Sequence, residues 1–157
     1  MDRKDMTLAG AFEVVAQNLK ESGLTDSAFA KVADETSYIK AKLRVTPIQA
    51  FILATMLHHM DRTMQMMTFA TFAQVSPVRI LAMQKDFDCL TKKGYIVCMI
   101  STTYHDVEQS YALSAGIIQA VKYDKRVTSA YYKNLTSEDV LHIIGDLIWK
   151  CDHSQLT

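Results

Sequence analysis

Glycine is scarce in this chain, and its five glycines lie at least thirteen residues apart. Phosphate-binding loops need clustered glycines, because backbone N–H groups must approach the phosphate closely. The sequence therefore excludes a Walker A loop and a dinucleotide-binding fingerprint. It also lacks the G-x-S-x-G and H-E-x-x-H signatures of hydrolases and zinc proteases. We expect a protein with no cofactor and no catalytic activity of its own.

An excess of positive charge is also missing. The chain has 17 basic and 17 acidic residues, and the segment 46–123 has six basic and five acidic ones. Proteins that hold nucleic acid mainly through charge usually carry a basic excess. The apolar content of 49% and charged content of 22% are ordinary for a globular protein. We expect residues 1–157 to form a single domain.

Features of secreted, membrane and metal-binding proteins are sparse as well. The three cysteines form no C-x-x-C pair, and the longest apolar run, near residues 50–57, is too short to span a bilayer. The N-terminus has no signal-peptide pattern. Adjacent helical residues point about 100° apart, so His58 and His59 are poorly placed to share a metal ion. We expect a cytoplasmic protein with reduced thiols, no metal and no membrane partner.

A helical lead-in occupies residues 1–45. Apolar residues recur at spacings of three and four in a first helix from Thr7 to Ser22, and Gly23 ends it. Thr25 or Asp26 is expected to cap a second helix that reaches Leu43. A third helix begins at Thr46-Pro47 and runs to Met60, with Gln49 placed for a capping box. This third helix is apolar nearly all round, which predicts a buried central helix.

The segment that follows alternates between helix and strand signals. Met64 to Phe69 predicts a short strand, and Ala70 to Gln74 a brief helix. Ser76-Pro77 begins a helix that ends at Lys93, before Gly94. The pattern then predicts two antiparallel strands, Tyr95–Ser101 and Ser110–Leu113, joined by the polar loop 102–109. Ser114 is expected to cap a helix through Val121, followed by a connector (124–134) and a last helix from Thr136.

This order of elements is that of a winged helix-turn-helix. The predicted fold is mainly α, with a winged-helix core at residues 46–123, a β wing of two or three strands, and extra N- and C-terminal helices. The segment 124–157 supplies the connector and the last helix. The expected central core consists of Phe51, Leu53, Leu57, Ile80, Phe87, Leu90 and Ile96.

The predicted recognition helix, residues 76–93, has an apolar outer face. Its inward stripe is Ile80, Met83, Phe87 and Leu90, and the opposite side begins with Val78, Leu81 and Ala82. Helices that read DNA usually carry hydrogen-bonding side chains at this place. Val78, Leu81 and Ala82 are therefore candidate partner-binding residues. A helix of the same chain, a second protomer or another protein would each cover such a face.

Basic residues on the same helix support an alternative. Arg79, Lys85, Lys92 and Lys93 are candidate nucleic-acid contacts. Asp86 and Asp88 flank the helix and would repel phosphates, as would Asp106 and Glu108 in the wing. A homodimer that gathers the basic residues of two protomers would be needed for firm DNA binding.

The run from Thr68 to Ile96 resembles a known family. Its helix start Ser76-Pro77-Val78-Arg79, its middle Asp86-Phe87-Asp88-Cys89-Leu90 and its turn Lys92-Lys93-Gly94-Tyr95-Ile96 are similar to the winged-helix region that precedes the ATPase module of large bacterial AAA+ ATPases. MarR-like regulators share the last of these patterns. The resemblance implies a recognition or regulatory domain associated with a larger ATPase. The nucleotide-binding loop of that family is missing here, so no ATPase activity is expected.

Two functions follow from the sequence. The first is a non-catalytic winged-helix module that binds a protein or a domain. The alternative is a stand-alone winged-helix transcriptional regulator that binds DNA. The neutral charge and the apolar outer face favour a protein partner over DNA.

Overall fold

A computed structural model describes residues 5–60, 63–103 and 106–126 of the chain. These residues lie within one compact unit, Met1–Val127. They form a mainly helical fold with one two-stranded antiparallel sheet. No described helix is both long enough and apolar enough to cross a membrane. Most of the predicted connector and the predicted helix after Thr136 lie outside the described residues.

Three helices form the N-terminal part: α1 (Leu8–Leu19), α2 (Asp26–Lys31) and α3 (Ala33–Leu43). The Thr7 hydroxyl accepts a hydrogen bond from the Gly10 N–H at 3.1 Å and so caps α1. The prediction of one continuous second helix is wrong, because Val32 departs from helical geometry and separates α2 from α3. The buried residues of the two helices still follow a helical spacing, which hides this interruption from the sequence pattern.

Helix α4 (Pro47–His58) is the buried central helix that the sequence predicts. Its capping box is present: the Gln49 N–H donates to the Thr46 hydroxyl at 3.2 Å, and the Thr46 N–H donates to the Gln49 side-chain oxygen at 3.1 Å. The amide nitrogen of Gln49 also donates to the Asp86 carboxylate at 3.2 Å. One buried side chain therefore begins α4 and ties it to a later helix.

Helix α5 (Met66–Ala73) replaces most of the strand predicted at Met64 to Phe69. Phe69, Phe72 and Ala73 are buried at helical spacing. Six of the eight positions in α5 are apolar, so both a strand and a helix would bury apolar surface, and the periodicity does not distinguish them. Only Met64 pairs as a strand residue, in an isolated antiparallel bridge with Tyr111.

The predicted recognition helix is two helices in the structure, α6 (Pro77–Leu81) and α7 (Gln84–Lys92), so the prediction of one uninterrupted helix is wrong. Tighter bonds join them: the Met83 N–H donates to the Ile80 carbonyl at 2.9 Å, and the Asp86 N–H donates to the Met83 carbonyl at 2.8 Å. The predicted inward stripe of Ile80, Met83, Phe87 and Leu90 is buried. The interruption thus leaves the buried stripe in register.

Strands β1 (Ile96–Thr103) and β2 (Asp106–Leu113) form the hairpin, and helix α8 (Ala115–Tyr123) follows it. The ladder pairs Ile96 with Leu113 and continues to Thr103 with Asp106. The predicted loop at 102–109 is therefore too long, and β2 begins earlier than predicted. Strand pairing uses backbone groups, so polar side chains on exposed faces do not prevent it. The Ser114 hydroxyl caps α8 through the Ile117 N–H at 3.4 Å.

The predicted core residues are buried with one exception. Leu57 is only half-buried, at the edge of the core. Phe69 and Tyr111 were not among the predicted core residues, and their ring centroids lie 5.1 and 4.8 Å from that of Phe87. This aromatic cluster joins α5, α7 and β2.

Asp124 connects both ends of the described chain. Its carboxylate accepts hydrogen bonds from the Leu8 N–H at 2.8 Å and from the Tyr38 hydroxyl at 3.0 Å, and it pairs with the Lys42 ammonium at 3.2 Å. Burial alone would raise the pKa of this carboxyl, but the three partners together hold its pKa below the ordinary value. The first residue of the predicted connector therefore belongs to the folded unit.

Candidate interaction surface

The outer side of α6 is an exposed apolar surface, which we call the α6 face. Val78 is 72% exposed and Leu81 is 56% exposed, and Ala82 directly after the helix is exposed as well. Among the described residues nothing covers these three side chains. The structure therefore leaves the three predicted partner-binding residues together at the surface.

Helix α6 is fixed in place by the turn between α1 and α2. The Arg79 guanidinium donates to the backbone carbonyls of Gly23 and Leu24. Two further bonds join the same turn to the end of α5, one from the Glu21 N–H to the Phe72 carbonyl and one from the Gly23 N–H to the Ala73 carbonyl, both at 2.8 Å. Arg79 was a candidate nucleic-acid contact, but its planar group is occupied by this intramolecular role.

Lys93 has an intramolecular role as well. Its ammonium donates to the Arg44 carbonyl, and the hydroxyl of Tyr95 donates to the Leu43 carbonyl at 2.8 Å. Arg44 is the left-handed residue that ends α3, so the two side chains satisfy carbonyls that a helix end leaves without partners. The pKa of Tyr95 is raised, chiefly by burial. Lys93 is therefore poorly placed as a nucleic-acid contact.

All four candidate basic residues are exposed, and two of them have no intramolecular hydrogen bond of this kind in the described part of the chain. Lys85 and Lys92 make no hydrogen bond to another described residue and face solvent on α7. Asp88 is exposed on the same helix and accepts a hydrogen bond from the Gln84 side chain at 2.9 Å. The exposed surface of α7 therefore combines both signs of charge, and it offers phosphate groups few contacts.

The hairpin carries a second set of exposed apolar side chains that the sequence reasoning missed. The exposed fractions are 67% for Ile100, 72% for Val107 and 49% for Val97. The alternation of side chains in β1 is the sequence signal for this set. Ile96 and Ile100 lie on the same face of the strand, which is buried at Ile96 and exposed at Ile100. Tyr111, at the base of the hairpin, is buried, and its hydroxyl accepts a hydrogen bond from the Gln84 side chain at 3.2 Å. Burial raises the pKa of the Tyr111 hydroxyl.

A groove of about 370 Å³ lies between α1 and α4, at the edge of α8. Its floor is apolar, with Phe12 and Ala54, and polar side chains stand at its rim, Glu13 and His58 among them. The ring centroids of His58 and His59 are 5.0 Å apart, and both rings contact Phe72. One ring is exposed and the other half-buried.

Groups that would hold a metal are not found in the described part of the chain, where no three His, Cys, Asp or Glu side chains are close enough together. Cys89 and Cys98 are both free thiols. The described residues thus offer exposed apolar surfaces and one groove. Comparison with protein-family models, with curated protein sequences and with solved structures finds no match to this chain.

Proposed function

We propose that residues 46–123 form a winged helix. The order of elements supports this proposal: α4, the paired residue Met64, α5, the α6–α7 pair, and then the β1–β2 hairpin as the wing. In this arrangement α5 and α6 are the helices on either side of the turn, and Met64 adds a third strand position beside β2. The α6–α7 pair occupies the place of the recognition helix.

The function that we propose is binding of a protein or protein domain through the α6 face, without catalysis. One observation carries it: Val78 and Leu81 are exposed at the start of the recognition segment, where a DNA-reading helix presents polar side chains. Exposed apolar surface of this kind is stabilised when a partner covers it.

The intramolecular bonds of Arg79 and Lys93 argue against the DNA alternative. Both side chains donate to backbone carbonyls in the N-terminal part of the chain, so they are less available to phosphate groups. Each phosphate contact needs a basic group, and Lys85 and Lys92 alone supply little affinity. We therefore expect DNA binding no tighter than the non-specific range, about 10⁻⁴ to 10⁻⁶ M at physiological salt. A dimer that brings the lysines of two protomers together would be the strongest form of this alternative.

The larger context that we propose rests on the resemblance to winged-helix regions ahead of bacterial AAA+ ATPase modules. In that context the chain acts as a recognition or regulatory domain, and ATP hydrolysis belongs to the associated module. The neutral charge and the apolar α6 face suit contact with a protein substrate or with another domain of such an assembly. The proposed site of action is the cytoplasm, with no membrane partner.

Site-specific photo-crosslinking tests the protein-binding function. A photoreactive residue at position 78 should crosslink to a recurrent protein in the cells that produce the chain, while one at Lys20, an exposed position directly after α1, should not. The identified protein is then purified, and Leu81→Asp should weaken its binding at least tenfold, a loss of about 1.4 kcal/mol. Leu81→Met is the matched control that keeps an apolar side chain.

DNA binding is measured on the same variants. Fluorescence anisotropy with duplexes selected from a random pool should show weak and unselective binding. One selected sequence bound with nanomolar affinity, and weakened by Lys85→Ala together with Lys92→Ala, would establish the DNA regulator and overturn the protein-binding proposal.

A further inference from the structure

Strand β1 forms an open edge of the sheet in the described part of the chain. Its neighbour on one side is β2, and Met64 pairs with β2 on the far side. Met64 and Tyr111 exchange two backbone hydrogen bonds, each from the N–H of one residue to the carbonyl of the other at 2.8 Å. Both backbone groups of Tyr111 therefore point toward Met64. Directly opposed residues of an antiparallel ladder alternate between exchanging both bonds and exchanging none. Cys98, which lies opposite Tyr111, therefore directs its backbone N–H and carbonyl away from β2.

The same alternation extends along β1 toward the tip. At two-residue steps, Ile100 and Thr102 direct their backbone groups outward like Cys98. Ile100 is 67% exposed, and Thr102 is exposed too. Three consecutive outward positions thus offer donors and acceptors in the geometry that another strand requires.

Within the described residues, none of the usual means of protecting a sheet edge is present at this strand. Natural edge strands are commonly protected by charged residues, proline, a bulge or a covering element. The sequence of β1 from Ile96 to Thr103 contains no charged residue, no proline and no glycine, and its register with β2 continues without a bulge. No other described segment pairs with this edge.

We propose that β1 pairs with β1 of a second copy of this chain, antiparallel and across a two-fold axis near Ile100. In this pairing Ile100 of each copy lies opposite Ile100 of the other, and Cys98 of each lies opposite Thr102 of the other. All outward backbone groups of these three residues then form hydrogen bonds. The two hairpins become one four-stranded antiparallel sheet, separate from the α6 face and independent of the function proposed for it.

Charge and shape favour a second copy in this orientation. An uncharged strand brings no like charges together when it meets itself. Lys92 and Lys93 precede β1, and the antiparallel arrangement holds the two pairs of lysines roughly 45 Å apart, whereas a parallel arrangement would place them side by side. On one face the two Ile100 side chains meet, with Val107 of each copy diagonal to them. Pairing across a two-fold axis also uses the β1 edge of each copy, so the assembly closes at two copies.

Proline at position 100 tests the proposal without breaking the hairpin. The Ile100 N–H points away from β2, so Ile100→Pro removes a donor to the second copy and leaves the β1–β2 ladder bonds intact. Sedimentation equilibrium of the full chain should give a dimer that dissociates on this change, with a shift in the monomer–dimer midpoint of at least tenfold. Ile100→Thr keeps the N–H and the β preference, and it is the matched control that stays dimeric.

Amide exchange provides a readout that identifies the edge. The Cys98, Ile100 and Thr102 amides should become protected as protein concentration rises, while the Met99 and Ser101 amides, which face β2, are protected throughout. A chain that remains monomeric up to about 1 mM would overturn the proposal. So would a dimer that survives Ile100→Pro but is lost on Leu81→Asp, because that result would place the interface on the α6 face.

Discussion

Met64 and Tyr111 exchange two backbone hydrogen bonds of 2.8 Å across 47 positions of sequence. This pairing places the segment after α4 beside β2, and it leaves β1 at the outside of the sheet. Tyr111 is 1% exposed, so the same residue that completes the sheet also joins the aromatic cluster under α7. The bridge to Met64 and the buried Tyr111 ring thus help to hold the hairpin against α7.

Replacing Phe87 should have a large effect on stability. Phe87 is fully buried and its ring packs between Phe69 and Tyr111. Phe87→Ala removes a buried aromatic and leaves a cavity, at a cost of about 3–5 kcal/mol in the free energy of unfolding. Urea denaturation measures the change, and Phe87→Leu should cost clearly less. A melt of Phe87→Ala that overlaps the wild type would remove Phe87 from the core.

Removing the Gln49 side chain should lower the free energy of unfolding more than removing the Thr46 hydroxyl, its partner in the capping box. Thr46→Ala removes one cap of α4 and should cost about 1 kcal/mol. Gln49→Ala removes the other half of the box and also the contact to Asp86, which then loses a buried neighbour. We expect a larger loss, about 2 kcal/mol, since two hydrogen bonds disappear. Equal costs for the two variants in chemical denaturation would show that the Asp86 contact contributes nothing.

Arg79 should act as a structural residue. Arg79→Ala removes the bonds to the Gly23 and Leu24 carbonyls, and a loss of about 1 kcal/mol in stability follows, reduced by the exposure of the site. Arg79→Lys cannot donate to both carbonyls with one planar group and should recover only part of the loss. Thermal unfolding measures this. A variant with unchanged stability and weakened DNA binding would return Arg79 to the nucleic-acid contacts.

Acid should destabilise the fold through Asp124. Because the folded-state pKa of Asp124 lies below the ordinary value of 3.8, its contribution is complete above that value and is lost as pH falls through the folded pKa. Stability should therefore decline between about pH 5 and pH 2, and Asp124→Asn should flatten that decline. Denaturation midpoints measured across this range check it. Asp26→Asn, at an exposed position, is the control, and identical slopes for Asp124→Asn and wild type would contradict the expectation.

Elements with local signals could be predicted from the sequence. Thr46, Pro47 and Gln49 specify the start of α4 by themselves, and Gly94 followed by β-branched residues specifies the start of β1. Interruptions at Val32 and Met83 could not be predicted, because the buried residues keep the spacing of a continuous helix across them. The helix over Met66–Ala73 was not recognised, because six of its eight positions are apolar and a strand would bury them equally well.

The candidate surface could be predicted only in part. Periodicity separates the two sides of residues 76–93, so Val78 and Leu81 are predicted to face outward, as they do in the structure. The intramolecular hydrogen bonds of Arg79 and Lys93 could not be predicted. Their acceptors are the carbonyls of Gly23 and Arg44, which lie about fifty residues away in sequence and come close only in the fold. The open edge of β1 likewise depends on which strand Met64 joins, and local pattern carries no information on that choice.

The contact between Leu8 and Asp124 also bears on how the chain folds during synthesis. The two residues are 116 positions apart, and the carboxylate that caps the start of α1 also binds Tyr38. While the ribosome is still translating the hairpin, α4 has already been made, but the N-terminal helices still lack Asp124 and α8. Folding of the first residues therefore completes only after nearly all of the unit has left the ribosome, so part of their apolar surface stays exposed during translation.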